Sequence, residues 1–266
     1  MQPGLKIAIS GKGGVGKTTV CAVWSRLFAD DGLDVLAIDA DSDPNLASAL
    51  GVAPEDAPEP LIEMKHLIQE RTGAKPGSVG QYFKLNPKVS DLPERYWREV
   101  KGIKLLVLGA TKNAGMGCAC PESAFLKALL THTILQRREA ILVDLAAGLE
   151  FMGRACVQGV DALVVVVEPG ARSIETAVNI ARMAGKMGIE HVAAFANKIT
   201  NAGQIDIIRS RLADIPVLGS FRLEPALQAA DLEHLPVIST SDELVKELRK
   251  AKEAMMKLFF KERVSG

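Results

Sequence analysis

A glycine-rich run follows the apolar residues 5–9, and its pattern limits how the first part of this chain folds. A strand, a glycine-rich turn and a helix N-terminus present free backbone N–H groups and the positive end of a helix dipole, which together attract phosphate. In the P-loop pattern, Lys17 reaches the β- and γ-phosphates and the Thr18 hydroxyl binds the Mg²⁺ between them. The run is Gly11-Lys12-Gly13-Gly14-Val15-Gly16-Lys17-Thr18-Thr19. We expect the rest of the phosphate cradle to come from Gly13, Gly14, Val15, Gly16 and Thr19.

The same run also fits a second motif. Gly11-x-Gly13-x-x-Gly16 satisfies the dinucleotide fingerprint, and Asp39 stands near the distance expected of a ribose-binding acid. A dinucleotide site has no use for a lysine and a threonine after the third glycine. A nucleoside triphosphate needs both a compact cation and a metal-binding hydroxyl there. We therefore predict a P-loop that binds a nucleoside triphosphate with Mg²⁺.

A second lysine, Lys12, lies inside the loop, where another cation is costly unless several negative charges are also present. The variant Lys-Gly-Gly-Val-Gly-Lys-Thr-Thr resembles the deviant P-loop of dimeric ATPases. These ATPases include the MinD and ParA positioning proteins, the nitrogenase iron protein and metal-insertion accessory proteins. The resemblance implies an ATP-sandwich homodimer in which Lys12 crosses to the partner's nucleotide and acts like an arginine finger.

Composition favours one large α/β domain over residues 1–266, because 48% of the residues are hydrophobic and the length is short for two domains. The formal net charge is zero, which argues against a broad nucleic-acid or membrane footprint. No apolar run approaches the roughly 20 residues of a membrane span, and the N-terminus lacks the apolar core of a signal peptide. We expect a cytoplasmic protein without a membrane span or a nucleic-acid partner.

Strand-like runs alternate with helix-like runs through most of the chain. This order predicts a mostly parallel, twisted sheet with helices on both faces and ligands at the carboxyl ends of the strands. Between residues 51 and 100 prolines interrupt the pattern, so we predict an irregular insertion there, with helices at 61–69 and 92–97. The predicted strands are 5–9, 34–38, 103–108, 140–143, 162–167, 191–196 and 216–218. The main predicted helices are 18–29, 124–136, 173–187 and 202–212.

Acidic residues follow two of the predicted strands. Asp39-Ala40-Asp41 ends the predicted strand that begins at residue 34. The resemblance implies that Asp39 orients the Mg²⁺ shell while Asp41 positions the attacking water. An ordinary acidic turn is the alternative, since Asp and Ser are common turn residues. The predicted strand 140–143 ends in Asp144, and Gly148 follows four residues later, as in a Walker B strand and switch II. The resemblance implies that Asp144 holds the Mg²⁺ shell and that the Gly148 N–H binds the γ-phosphate.

Asn197-Lys198 also falls at the end of a predicted strand, where GTPases carry Asn-Lys-x-Asp. Position 200 is threonine, so the carboxylate that accepts the two guanine N–H donors is missing. We therefore predict ATP as the nucleotide, with Asn197 contacting the amine of adenine. A turn asparagine without a role in binding is the alternative.

Two thiols, Cys118 and Cys120, lie two positions apart before a predicted helix. Pro121 suits the first helical position, which makes Cys120 the expected N-cap, where the helix dipole favours the metal-binding thiolate. Two ligands from each chain of a dimer provide a tetrahedral sulfur set for zinc or an iron–sulfur cluster, or a thiolate-rich nickel site. Two loop residues without metal are the alternative. We expect Cys21 and Cys156 to be core residues.

The phrase Met-Gly-Cys-Ala-Cys-Pro-Glu, together with the deviant P-loop, resembles the CooC-type accessory ATPases. These ATPases assist nickel insertion into carbon monoxide dehydrogenase and related acetyl-CoA synthase enzymes. The resemblance implies a Zn²⁺ or Ni²⁺ site at Cys118 and Cys120, shared across the dimer, and a client nickel enzyme. Related proteins often read Asp-Met-Glu-Ala-Gly and Glu-His-Leu-Gly, whereas this chain has Asp-Leu-Ala-Ala-Gly and Glu150-Phe151-Met152-Gly153, without that glutamate and histidine.

A C-terminal helix is predicted over residues 240–262, starting at a capping box formed by Thr240 and Glu243. Its apolar stripe suits core packing, since interspersed acidic residues weaken attraction to anionic lipid. A positioning ATPase that lays this helix on a membrane remains an alternative function. An electron-donating ATPase with an iron–sulfur cluster between two chains is another, since four cysteines at a dimer axis suit it as well.

Overall fold

The predicted strands lie side by side in one sheet. The computed structural model describes residues 4–77, 81–109, 120–136, 139–146, 159–233 and 235–261. Within these ranges the strands are β1 (Lys6–Gly11), β2 (Val35–Ala40), β3 (Arg98–Val100), β4 (Ile103–Val107), β5 (Ala140–Leu145), β6 (Ala162–Val167), β7 (Val192–Ile199) and β8 (Val217–Arg222). Their order in the sheet is β3-β4-β2-β5-β1-β6-β7-β8. Only β3 pairs antiparallel with its neighbour, which confirms the predicted mostly parallel α/β fold.

Helices cover both faces of the sheet. They are α1 (Lys17–Asp30), α2 (Leu46–Ala49), α3 (Lys65–Thr72), α4 (Leu92–Tyr96), α5 (Pro121–Gln136), α6 (Ala171–Met187), α7 (Gly203–Leu212), α8 (Pro225–Leu232) and α9 (Asp242–Phe259). Trp24 of α1 and Leu248 of α9 belong to the core on one face, whereas Leu129 of α5 and Ile180 of α6 belong to the core on the other. Successive residues of each strand alternate between these two cores, because side chains in a strand point to opposite faces.

The segment 51–100, predicted to be an irregular insertion, contains α3, α4, β3 and two 3-10 turns, Pro54–Asp56 and Leu61–Glu63. Its apolar side chains Leu61, Ile68 and Leu92 are fully buried in the same core as α5 and α6. The helix predicted at 61–69 is a 3-10 turn followed by α3, and the edge strand β3 was not predicted. A three-residue strand is too short for an alternating pattern to identify.

The C-terminal helix α9 packs its apolar stripe against the sheet. Leu244, Leu248, Ala251 and Met255 are buried, and the indole N–H of Trp24 donates to the Leu248 carbonyl oxygen at 3.0 Å. This burial agrees with the predicted core packing. No helix in the described part of the chain is long and apolar enough to cross a membrane.

The predicted capping box at Thr240 is wrong by one residue. The Ser241 hydroxyl oxygen accepts the Leu244 N–H at 3.1 Å and so caps α9. The Thr240 hydroxyl instead donates to the Pro236 carbonyl oxygen at 3.0 Å, because a 3-10 turn over Val237–Ser239 ends beside it. The sequence carries two hydroxyl residues in a row, and only this preceding turn decides which one becomes the cap.

We expect Ser241→Ala to lower the free energy of unfolding by about 1–2 kcal/mol, because the buried hydroxyl caps α9 and also donates to Glu224 at 2.7 Å. Thr240→Ala is the matched control and should cost less. Urea denaturation with an unchanged slope is the measurement. A loss at Thr240 as large as that at Ser241 would contradict the observed cap.

Candidate functional site

The loop between β1 and α1 has a backbone that requires glycine at two positions. Gly11 ends β1 with φ 150°, and a Cβ atom there would lie 2.4 Å from the Val166 carbonyl oxygen. Gly16 precedes α1 with φ 100°, and its Cβ would lie 2.5 Å from the Asn197 amide nitrogen. Any side chain at these positions would push the loop away from β6 and β7. The glycines therefore let the phosphate-binding turn sit directly against the sheet.

Lys17 is the first residue of α1, and its side chain is 7% exposed. The ammonium lies 3.7 Å from a carboxylate oxygen of Asp41, which follows β2 at the same edge of the sheet. The structure thus brings together two residues that the sequence places far apart. This ion pair keeps the buried ammonium compensated within the chain.

Asp39 is fully buried near the end of β2. Its two carboxylate oxygens accept the N–H groups of Asp41 at 3.1 Å and of Leu46 at 2.8 Å. Burial raises the pKa of Asp39 to about 6, although these N–H bonds oppose the shift. Asp39 therefore organises the turn after β2 and contributes negative charge beneath the loop.

Asp144 lies on β5, directly in register with Asp39 on β2, and is also fully buried. The Thr18 hydroxyl donates to its Oδ2 at 2.6 Å. Burial and then the charge of Asp39 raise the pKa of Asp144 to about 7, against the effect of the Thr18 bond. Its Oδ1 is buried without a hydrogen-bond partner among the residues that the structure describes.

These oxygen donors fit Mg²⁺. Hydroxyl and carboxylate oxygens are the hard ligands that this cation prefers, and Thr18 and Asp144 are in direct contact. A divalent cation would also offset the cost of two buried carboxylates in adjacent strands and would occupy the unpaired Asp144 oxygen. The predicted metal residues Thr18, Asp39 and Asp144 are thus adjacent in the fold.

Two side chains near the end of β7 donate hydrogen bonds to the loop between β1 and α1. The Asn197 amide donates to the Val15 carbonyl oxygen at 2.8 Å, and the Lys198 ammonium donates to the Gly14 carbonyl oxygen at 2.5 Å. Lys198 holds a positive φ of 57°, which is uncommon for a residue with a side chain. The prediction for Asn197 concerned the base alone, and its structural contact with the loop was missed. The contact of Lys198 with the Gly14 carbonyl oxygen was also missed, although the Asn197-Lys198 pair was noted in the sequence.

A cavity of about 600 Å³ opens over the loop, within the range of about 300–1,000 Å³ that small-molecule sites occupy. Lys17, Thr18, Asp41 and Asn197 line it together with residues after β8 that the sequence did not indicate. These further lining residues are Leu223, Glu224, Leu227 and Gln228. In the sequence, these residues were marked only by following the carboxyl end of a strand. Many loops have that position, so it does not identify a binding site.

Lys12 is not among the residues that line this cavity. Its side chain is 43% exposed, and its ammonium lies 3.6 Å from Oε1 of Glu168, which follows β6. The other oxygen of Glu168 lies 3.8 Å from Lys198. Glu168 was not a predicted site residue, because a lone glutamate in a loop carries no pattern. Lys12 is therefore paired within its own chain.

Cys120 precedes α5, and its sulfur accepts the Ser123 N–H at 3.4 Å and contacts the Ser123 hydroxyl at 3.2 Å. It is half-buried, in the N-cap position that Pro121 indicated. Cys21 is a buried core residue, and burial raises the pKa of its thiol well above the ordinary value. Cys118, Gly148 and Cys156 lie outside the described residues, and the described part holds no cluster of three or more metal-ligating His, Cys, Asp or Glu side chains.

Comparisons with known proteins agree with this geometry. The family model of the CobQ/CobB/MinD/ParA nucleotide binding domain matches residues 6–237. The carbon monoxide dehydrogenase accessory protein CooC of Rhodospirillum rubrum is 44% identical over 229 residues, which are 85% of this chain and 87% of that protein. An uncharacterised ATP-binding protein of Methanocaldococcus jannaschii is 38% identical over 257 residues, covering 96% of this chain and 98% of the other.

Solved structures share the fold at lower identity. The septum site-determining protein MinD of Pyrococcus horikoshii, complexed with Mg-ADP, matches with a TM-score of 0.68 at 21% identity, covering 95% of this chain and 96% of that one. A putative plasmid partition protein of Borrelia burgdorferi bound to AMPPNP matches with a TM-score of 0.70 at 16% identity, covering 96% and 99%. The chain therefore belongs to the MinD/ParA family of nucleotide-binding domains, and within it this protein is a P-loop ATPase of the CooC type.

Proposed function

We propose that this ATPase dimerises with ATP and assists nickel insertion into an enzyme of the carbon monoxide dehydrogenase or acetyl-CoA synthase type. The observation that carries the proposal is the place of Cys120, a half-buried thiol at the start of α5 in a chain with a complete P-loop. The similarity to CooC over 85% of the chain supports the choice of client.

The nucleotide half of the proposal follows from the residues around the cavity. Backbone N–H groups of the loop and the Lys17 ammonium would bind the phosphates of ATP, while Thr18, Asp144 and Asp39 would hold Mg²⁺ or its water shell. Mg²⁺ held by these residues would supply positive charge against the phosphates. Gly148 would donate its N–H to the γ-phosphate, as the family resemblance implies.

Asp41 is the residue that we propose to position the attacking water. In the structure its carboxylate is 3.7 Å from the Lys17 ammonium. A γ-phosphate would compete for that ammonium, because it carries more negative charge than one carboxylate. The Asp41 carboxylate would then be free to accept a hydrogen bond from water. This exchange would couple ATP binding to the arrangement of the turn after β2.

Adenine is the base that we propose for the cavity. The Asn197 amide nitrogen is already bonded to Val15, which leaves its side-chain oxygen as the acceptor for an amine. Position 200 is threonine, and its hydroxyl is bonded to Gln204 at 3.1 Å. A hydroxyl in that place does not provide the paired acceptors that guanine requires.

The metal half of the proposal places Zn²⁺ or Ni²⁺ between two chains. Cys118 and Cys120 of each protomer would supply four thiolates. Because α5 begins beyond the carboxyl end of β4, Cys120 approaches the same edge of the sheet as the P-loop. A dimer closing over the nucleotide would therefore also change the distance between the two thiol pairs.

The two alternative functions differ from this proposal in observable ways. A positioning ATPase that lies on a membrane through α9 needs an exposed apolar stripe, yet Leu248 and Met255 are fully buried. An ATPase with an iron–sulfur cluster would be brown when purified without air. Purified Zn²⁺ dithiolate protein would be colourless, and iron analysis would distinguish a cluster from a Ni²⁺ dithiolate.

We expect Lys17→Ala to weaken ADP and ATP binding by at least about 30-fold, because the buried ammonium contacts the phosphates directly. Lys12→Ala should keep ADP affinity and lower turnover by about 10³-fold or more, since Lys12 serves the partner's triphosphate. Calorimetric titration and phosphate release measure the two effects, with the exposed Lys65→Ala as a control. Equal losses of ADP affinity in the Lys17 and Lys12 variants would rule out the role of Lys12 across the dimer.

We expect one Zn²⁺ or Ni²⁺ per two chains, because a closed tetrahedral site needs four thiolates. Cys118→Ser and Cys120→Ser should each abolish tight binding, while Cys21→Ser and Cys156→Ser keep it. Acid should weaken binding, since protons compete for the thiolates, and ATP and metal should change each other's affinity by the same factor. Metal analysis with native mass spectrometry is the measurement.

One metal per chain in demonstrably monomeric protein would contradict the shared site. Undiminished metal binding in the Cys118→Ser/Cys120→Ser double variant would contradict the ligand assignment. A brown protein with absorbance typical of an iron–sulfur cluster would favour the reductase alternative.

A further inference from the structure

Glu168 is held in a tight turn at the carboxyl end of β6, directly beside the P-loop. Its backbone N–H donates to the Ser173 hydroxyl at 3.1 Å, and its carbonyl oxygen accepts the Gly170 N–H at 2.7 Å. The turn follows a fully buried strand and precedes α6, so its backbone has two fixed ends. The fold therefore sets the position of the Glu168 backbone beside the P-loop.

This carboxylate lies between two ammonium groups. Oε1 is 3.6 Å from Lys12 and Oε2 is 3.8 Å from Lys198. Lys198 is itself fixed by its bond to the Gly14 carbonyl oxygen. Lys12 has a side chain that is 43% exposed, against 34% for Lys198 and 27% for Glu168. Of the two cations, Lys12 is thus the one whose contact can be exchanged without disturbing the loop.

We infer that Glu168 is a positioning residue that holds Lys12 within its own chain until ATP-bound chains pair. The inference rests on the proposed role of Lys12 across the dimer. An ammonium paired with Glu168 has to leave it before it contacts the phosphates of the partner. Glu168 therefore opposes dimerisation and sets how much protein is needed before ATP brings two chains together.

The size of the effect follows from the exposure of the pair. A partly exposed ion pair shifts an equilibrium by about 1.5- to 5-fold, since water and salt screen it. Two such pairs break when a symmetric dimer forms. Removing the Glu168 charge should thus lower the dimer dissociation constant by about 2- to 25-fold. The gain should shrink as ionic strength rises.

The test compares Glu168→Gln with the parent protein and with Glu175→Gln, which removes an exposed glutamate from the next helix, α6. Analytical ultracentrifugation with Mg-ATP gives the dimer dissociation constant at low and high salt. We expect about 2- to 25-fold tighter dimerisation for Glu168→Gln at low salt and no change for Glu175→Gln. Glu168→Asp, whose carboxylate is one methylene shorter, should change dimerisation in the same direction by less.

A second measurement reports on Lys12 directly. Competitive acetylation of dilute, ADP-bound protein, read by mass spectrometry, compares the reactivity of the Lys12 amine with that of the exposed Lys65. An ion pair protects an amine, so Glu168→Gln should make Lys12 react about 1.5- to 5-fold faster relative to Lys65. A purely structural role for Glu168 would not produce this selective change.

The outcomes separate this inference from the proposed function. Unchanged Lys12 reactivity or unchanged dimerisation in Glu168→Gln, with Lys12→Ala still inactive, would overturn the role of Glu168 and leave the ATP-dependent dimer in place. Normal turnover in Lys12→Ala would overturn the proposed dimer mechanism itself. Weaker dimerisation in Glu168→Gln would show that the carboxylate supports pairing, which is the reverse of the inference.

Discussion

Parallel pairing between β2 and β5 places the carboxyl groups of Asp39 and Asp144 side by side in the interior. Burial raises the pKa of Asp39 to about 6 and that of Asp144 to about 7, and the charge of Asp39 adds to the shift at Asp144. Two buried carboxylates in adjacent strands remain ionised only when cations compensate them. The Thr18 hydroxyl and the Lys17 charge both oppose the rise in the pKa of Asp144, and a divalent cation bound there would compensate the two carboxylates further.

Both lysines of the P-loop have carboxylate partners inside the chain. Lys17 lies 3.7 Å from Asp41, and Lys12 lies 3.6 Å from Glu168. In the function that we propose, the phosphates of ATP would compete with these carboxylates for the same ammonium groups, and nucleotide binding would exchange ion pairs that already exist. The exchange that we propose at Lys17 would occur within one chain, whereas the one that we propose at Lys12 would require two. This difference is how the same loop could distinguish nucleotide binding from dimerisation.

Different parts of the chain pack against the two faces of the sheet. On one face α1 and α9 enclose a core that includes Trp24, and the buried stripe of α9 completes it. On the other face α5 packs with the segment 51–100, and the Gly77 N–H donates to a carboxylate oxygen of Glu122 at 2.8 Å. That contact joins the segment to the first turn of the helix that carries Cys120. Cys120 directly precedes α5 and the P-loop directly precedes α1, and these two helices pack on opposite faces of the sheet.

The sequence by itself determined those features of the fold and the site that depend on residues close together in the chain. The glycine run, the order of strands and helices and the carboxylates at strand ends are local patterns, and the parallel sheet follows from them because βαβ connections leave few other arrangements. Only the tertiary structure decided which distant groups meet. The Asn197 amide donates to the Val15 carbonyl oxygen, and the Lys12 ammonium pairs with the Glu168 carboxylate. Ser241 caps α9, while Thr240 does not. These contacts depend on the order of strands in the sheet and on the turn that precedes a helix, and no pattern among neighbouring residues contains either.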